Sequence, residues 1–341
     1  VKDTLRYIET SRLGLPTVEK AFQGDTYYTA PNPSFGAVFT YHLEDGLKTR
    51  QERRHEAEKE ADEDKKILPY PSQDDLRAED EENDPSIILT VRDAGGNVVQ
   101  RVTGPRGKGI HRVAWNLRYP SSLPTDPDPG PQAPWDSPPV GPLALPGAYS
   151  VTLESEIDGV VTQLAGPQEF KVTDLGGGTL PVEDPEAALE FQLQAADLQR
   201  AVLGALEFTG EVGDRIKHLR QAILDTPAAQ PGQVAELAAI EDELNDLLVL
   251  LRGDRSKARR NEPTDPSILG RINRVVGGQL STTQAPTTTN RDGYAWAAAA
   301  FTEQLEALRS LDARLGALED TLEAAGAPWT PGRFPEWPRG N

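Results

Sequence analysis

Between Gly109 and Pro120 the chain alternates, with Val113, Trp115 and Leu117 on one side and Arg112, Ala114 and Asn116 on the other. A period of two marks a strand with one buried face, and a central tryptophan is the largest apolar contribution a small β core receives. Similar stretches flank it. Gly36–Leu43 sets Phe39, Tyr41 and Leu43 opposite Val38 and Thr40, and Ser86–Arg92 places Ile87, Leu89 and Val91 on one face. Val98–Thr103, Ala148–Glu154, Val160–Leu164 and Gln168–Thr173 bring the set to seven. Asp93–Asn97 and Asp158-Gly159 have the composition of hairpin turns. Seven strands at this spacing predict an immunoglobulin-like antiparallel β-sandwich over residues 36–175.

The period then changes. Gly176-Gly177-Gly178 opens a linker over 176–184, and after Pro185 apolar residues recur at three and four. Glu186–Leu224 carries Leu189, Leu193, Leu203, Ile216 and Ile223, with Gly210 and Gly213 placed to bend it. Gln233–Arg252 has the cleanest stripe, Val234 to Leu251. Asp265-Pro266 reads as a cap and first helical residue, opening a helix to about Val276. Arg291–Ala325 aligns Trp296, Phe301, Leu308, Leu315 and Leu322. Residues 185–327 are expected to form an antiparallel bundle of three or four helices with the leucines as its core.

Three stretches fit neither period. Residues 1–35 read as a connector with one short helix over Asp3–Arg12. Residues 46–83, rich in Glu, Lys, Arg and Asp, have no apolar stripe and read as a solvated helix or disordered excursion inserted between two strands. Proline-rich residues 120–147 read as a long loop, with Trp135 available to pin it. The tail, 328–341, is held extended by prolines, and its Trp329, Phe334 and Trp337 call for docking on this chain or on a neighbour.

With 54 acidic and 35 basic residues the 341-residue chain carries −19. Such a chain repels nucleic acid and anionic lipid unless its basic groups gather on one face. The acidic excess spreads over both halves, so neither partner is expected. No apolar run approaches the ~20 residues of a membrane span. The absence of cysteine excludes disulfides, thiolate metal sites and cysteine nucleophiles. Val1 and the lack of any methionine suggest a mature product or a segment of something longer.

Chemistry is sparse. His42, His55, His111 and His218 have no ligand spacing with one another, and His55-Glu56 lacks the second histidine of a zinc-protease helix. Asp126 and Asp128 lack the further acidic ligands of a calcium loop. Gly104–Gly109 looks like a phosphate loop only until Lys108 is followed by glycine and a strand. No catalytic, cofactor-binding or metal residue is assigned, and no cofactor is expected.

Pro33–Leu43, Gly109–Pro120 and Pro146–Val151 together resemble the C-terminal region of bacterial sortilin-like (VPS10/BNR-repeat) propeller proteins, often labelled glycosyl hydrolases. Most of the chain shares the resemblance, including Ala285-Pro286-Thr287, although Asn116 stands where an acidic residue is usual. The resemblance implies a non-catalytic accessory and interaction segment of a large extracytoplasmic propeller protein, with a β-propeller domain or subunit as partner. Two alternatives stay open: a segment completing a propeller-borne glycan or peptide hydrolase, and a structural subunit of a cell-surface assembly. Its motifs carry no catalytic residue, and the charged 46–83 insertion looks particular to this member.

Overall fold

Alternation in the sequence becomes alternation in burial. Ala37, Phe39, Tyr41 and Leu43 point into one core while Thr40 and His42 are exposed. The computed structural model describes residues 1–6, 16–17, 20–21, 33–67, 70–128, 130, 138–176, 182–280 and 282–335. It divides into a sheet unit, Val1–Pro120 with Gln132–Pro181, and a helical unit, Ser121–Pro131 with Val182–Asn341. Trp135 lies outside the described residues.

The strands are β1 (Thr4–Arg6), β2 (Pro16–Thr17), β3 (Lys20–Ala21), β4 (Ala37–Leu43), β5 (Ser86–Asp93), β6 (Val98–Gly104), β7 (Gly109–Trp115), β8 (Gly147–Ile157) and β9 (Val160–Asp174). The main sheet has the order β1-β9-β8-β5-β6; β4 pairs with β7, and β2 with β3.

The predicted immunoglobulin-like sandwich is not what forms. The five-stranded sheet is mixed, because β1 runs parallel to β9 with Thr4 opposite Val172, and it curls into a half-barrel. Residues 4–6, expected to be helical, are therefore an edge strand; Tyr7–Arg12 lie outside the described residues. The predicted strands 160–164 and 168–173 are one strand of 15 residues. Gly166-Pro167 does not end it. The register with β8 shifts there, from Val151 opposite Gln168 to Leu153 opposite Ala165, and a bulge absorbs a proline that a regular ladder would reject.

The core of this unit is aromatic. Trp115 is 1% exposed and lies 5.4 Å from Tyr149 and 6.3 Å from Phe170, ring centre to ring centre. Phe39 meets Phe170 edge-on at 5.6 Å. Burial pushes the Tyr149 hydroxyl up to about 12, and that hydroxyl donates to Leu145 O at 2.7 Å. After Trp115 the chain turns sharply: Leu117 has φ +58° yet is fully buried, and its carbonyl accepts from Ala144 N at 2.7 Å. Gly36 has no substitute. Its φ is +99°, and a Cβ there would sit 1.9 Å from Trp115 O.

The charged stretch is folded. Two helices, α1 (Arg50–Glu63) and α2 (Gln73–Asp80), each begin with a capping box, from Thr49 and from Ser72. Arg54 grips Glu79 with two bonds, at 2.7 and 2.8 Å, and thereby joins α1 to α2. Arg106 of the β6–β7 turn reaches Glu52 at 2.8 Å, and Arg50 reaches Asp158 of the β8–β9 turn at 3.0 Å. The Arg106 hydrogen bond holds the Glu52 carboxyl below the usual carboxylate range. Charge replaces the missing apolar stripe, and exposed pairs are individually weak and screened by salt. Replacing residues 46–83 with a short Gly/Ser linker is expected to leave the sheet unit folded. Its thermal midpoint should fall by a few degrees in dilute buffer and match the parent's in about 1 M NaCl. Loss of soluble protein at both salt levels would show that the insertion is required for folding.

In the other unit, α3 (Pro185–Asp225), α4 (Pro231–Arg252), the short α5 (Arg255–Ala258), α6 (Ile268–Leu280) and α7 (Thr288–Ala324) follow one another. The four long helices surround one core that includes Val202, Ile216, Ile240, Leu251, Ile272, Leu311 and Leu322. Gly210 and Gly213 lie within the unbroken run of α3, and α6 starts two residues after Pro266, with the Ser267 hydroxyl accepting from Gly270 N at 3.1 Å. Among the described residues no helix is long and apolar enough to cross a membrane.

Among the described tail residues, polar side chains are buried where aromatic ones are not. Thr330 and Arg333 are buried, and Arg333 pairs with Glu323 at 3.0 Å. Trp329 and Phe334 are 59% and 88% exposed, and Trp337 lies outside the described residues.

Candidate functional site

The histidines are dispersed. His42 is exposed on β4; His111 faces Tyr41 across the β4–β7 pair at 5.3 Å, with Nε2 2.7 Å from Gly107 O; His218 Nδ1 lies 2.8 Å from Asp214 O of its own helix. His55 lines a cleft of about 520 Å³ with the Gly104–Gly109 turn. The charges of that cleft are spent on one another: Arg106 on Glu52, Lys48 on Glu56, Lys108 on Asp45. Asp126 accepts from Asp128 N at 3.0 Å, a local turn contact. Among the described residues no group of three His, Asp or Glu could hold a metal ion.

The helical unit contains a different arrangement. A cleft of about 480 Å³ lies where the end of α4, the start of α6 and the first turns of α7 converge. Its wall carries Arg252, Arg271 and Arg274, against one carboxylate, Asp265. Ser267 caps α6 there, and Thr289 and Asn290 come from the first turn of α7. Among the described residues no carboxylate lies within 4.0 Å of the three guanidinium groups. The Arg271 Nε is buried without a hydrogen-bond partner among the described residues, an arrangement that costs stability unless something completes it. Loss of hydration, followed by the positive charge of Arg255, lowers the pKa of Arg252.

These arginines belong to a larger island. Residues 252–291 contain eight basic and three acidic side chains, which gives +5 in a chain of −19. Arg255, Lys257, Arg259, Arg260 and Arg291 complete it, also without ion pairs among the described residues. In the same helical unit Arg314 is matched by Glu236 at 2.9 Å and by Glu243. The acidic excess that spreads over both halves of the sequence therefore contains a locally basic stretch. A running charge count along the sequence would have exposed the island; a total over each half conceals it.

Beyond the strip Thr264–Ser267, which lines both, a second cleft of about 390 Å³ is walled by Val249, Leu250, Trp296 and Ala300. Trp296, expected in the core, is 43% exposed. The Arg271 guanidinium lies 4.3 Å from its ring centre, a cation–π contact that fixes both side chains. Compared with known proteins, the chain matches no family model, no curated protein and no solved structure.

Proposed function

We propose that this chain is a non-catalytic accessory and interaction segment of a large extracytoplasmic propeller protein, and that its helical unit is the recognising part. The propeller context rests on the sequence resemblance. The observation that favours recognition over reaction is the cleft between α4, α6 and α7. Its charged groups are three arginines that never deprotonate at ordinary pH and so cannot move protons, with Asp265 as the lone carboxylate. Such a wall holds an anion in place without transforming it.

The test joins binding to turnover. The full chain is expected to hydrolyse neither chromogenic glycosides nor casein, and to co-migrate on size exclusion with the propeller of its parent protein. Turnover that a substitution in this chain abolishes would overturn the reading in favour of a hydrolase. A parent reading frame without bladed repeats would remove the propeller context.

A further inference from the structure

We infer that the helical unit binds a small phosphate or sulfate ester, its oxyanion held by Arg252, Arg271 and Arg274 and its apolar body lying against Trp296. The inference deepens the recognition reading above and rests on it.

Three observations converge. First, three arginines that have no carboxylate partner among the described residues line one concave wall, and guanidinium forks match tetrahedral oxyanions bidentately, as an ammonium does not. Second, the buried Arg271 Nε has no hydrogen-bond partner among the described residues, and an oxyanion in the cleft would give its guanidinium a counter-charge. Third, the same guanidinium stacks on Trp296, which also walls the adjoining apolar cleft. Arg271 thus links the charged compartment to the apolar one. A ligand spanning both needs an anionic end and a flat or apolar end, which an ester provides.

Net charge favours a small ligand over a polymer. A long polyanion would meet the field of a −19 chain over many residues. An ester a few ångströms across sits well inside the screening length of about 8 Å and responds chiefly to the nearest arginines.

Calorimetric titration of the full chain with phenyl phosphate, phenyl sulfate, inorganic phosphate and benzyl alcohol tests this. Phenyl phosphate or phenyl sulfate should bind at least about tenfold more tightly than inorganic phosphate, with benzyl alcohol weaker still; the tighter of the two esters identifies the headgroup. Arg271→Gln should weaken the ester about tenfold or more. Because Arg271 is partly structural, the paired variant Arg252→Gln/Arg274→Gln, on exposed side chains, should do the same with an unchanged circular dichroism spectrum. Trp296→Ala should reduce ester affinity to that of inorganic phosphate and leave inorganic phosphate unaffected. Absence of binding heat from both esters at millimolar concentration, or unchanged ester affinity in the folded Arg252→Gln/Arg274→Gln protein, would overturn the site. Either result leaves the propeller association intact, so this failure is separable from failure of the recognition reading. Phosphate release from phenyl phosphate would support the site and overturn the non-catalytic reading.

Discussion

Replacing Trp115 with alanine is expected to destabilise the sheet unit by roughly 3–5 kcal/mol, the usual cost of removing a fully buried large aromatic. Each contact of the ring points the same way. It is 1% exposed, lies against Tyr149 and Phe170, and donates its indole N–H to Arg118 O at 2.9 Å. Alanine would leave a cavity among aromatics that cannot close around it, and would free a carbonyl that fixes the turn after β7. Phenylalanine keeps most of the volume but not the N–H, so Trp115→Phe should cost distinctly less. Urea unfolding followed by near-ultraviolet circular dichroism separates the two variants. An unchanged midpoint for Trp115→Ala would mean that the ring does not hold the core together.

That residue was legible because its information is local. A period of two over a few residues suffices to orient Trp115, Ile87, Leu89 and Phe39 toward the core, and Asp158-Gly159 announces its turn through positive φ, +50° and +78° in the structure. What the sequence hides is pairing at a distance. Nothing in Thr4-Leu5-Arg6 signals a parallel partner at Val172–Asp174, and the mixed sheet follows from that pairing. Nor does Gly166-Pro167 announce a bulge; without its partner strand in view, the dipeptide looks like a terminator.

The site was hidden for a related reason. Arg252, Arg271 and Arg274 lie on two helices, and each alone resembles an ordinary solvated position. Their meaning comes from sharing one concave wall with no carboxylate paired to them among the described residues, and only the packed helices reveal that. Trp296 has the spacing of a core residue, three turns of α7 from Leu308, yet α6 presents Arg271 to it in place of an apolar side chain. Periodicity describes a helix face; what covers that face is a property of the neighbouring element.

Arg215→Met is expected to cost the helical unit about 3–5 kcal/mol, the range for stripping one partner from a buried ion pair. The guanidinium on α3 holds Glu319 of α7 with two bonds, at 2.9 and 2.8 Å, and Asp312 with a third at 2.7 Å. Those bonds, led by Glu319, raise its pKa further above an already high value. The Glu319 side chain is only 5% exposed, so methionine would strand a carboxylate out of water. The tail closes the site from above: Gly332 lies so near that a Cβ would stand 2.8 Å from Arg215 Nε. The loss should therefore spread from the α3–α7 contact to the tail, and limited proteolysis should cut 328–335 sooner in the variant. Adding Glu319→Leu removes the stranded charge and should recover most of the stability, since apolar replacements of buried ion pairs are often neutral. Arg215→Lys should fall between, because an ammonium cannot keep both bonds to Glu319. Urea midpoints of the two singles and the double complete the cycle. A cost for Arg215→Met below about 1 kcal/mol would place this pair among surface bridges that water replaces freely, and the tail would then have to be held by Arg333 and Glu323 alone.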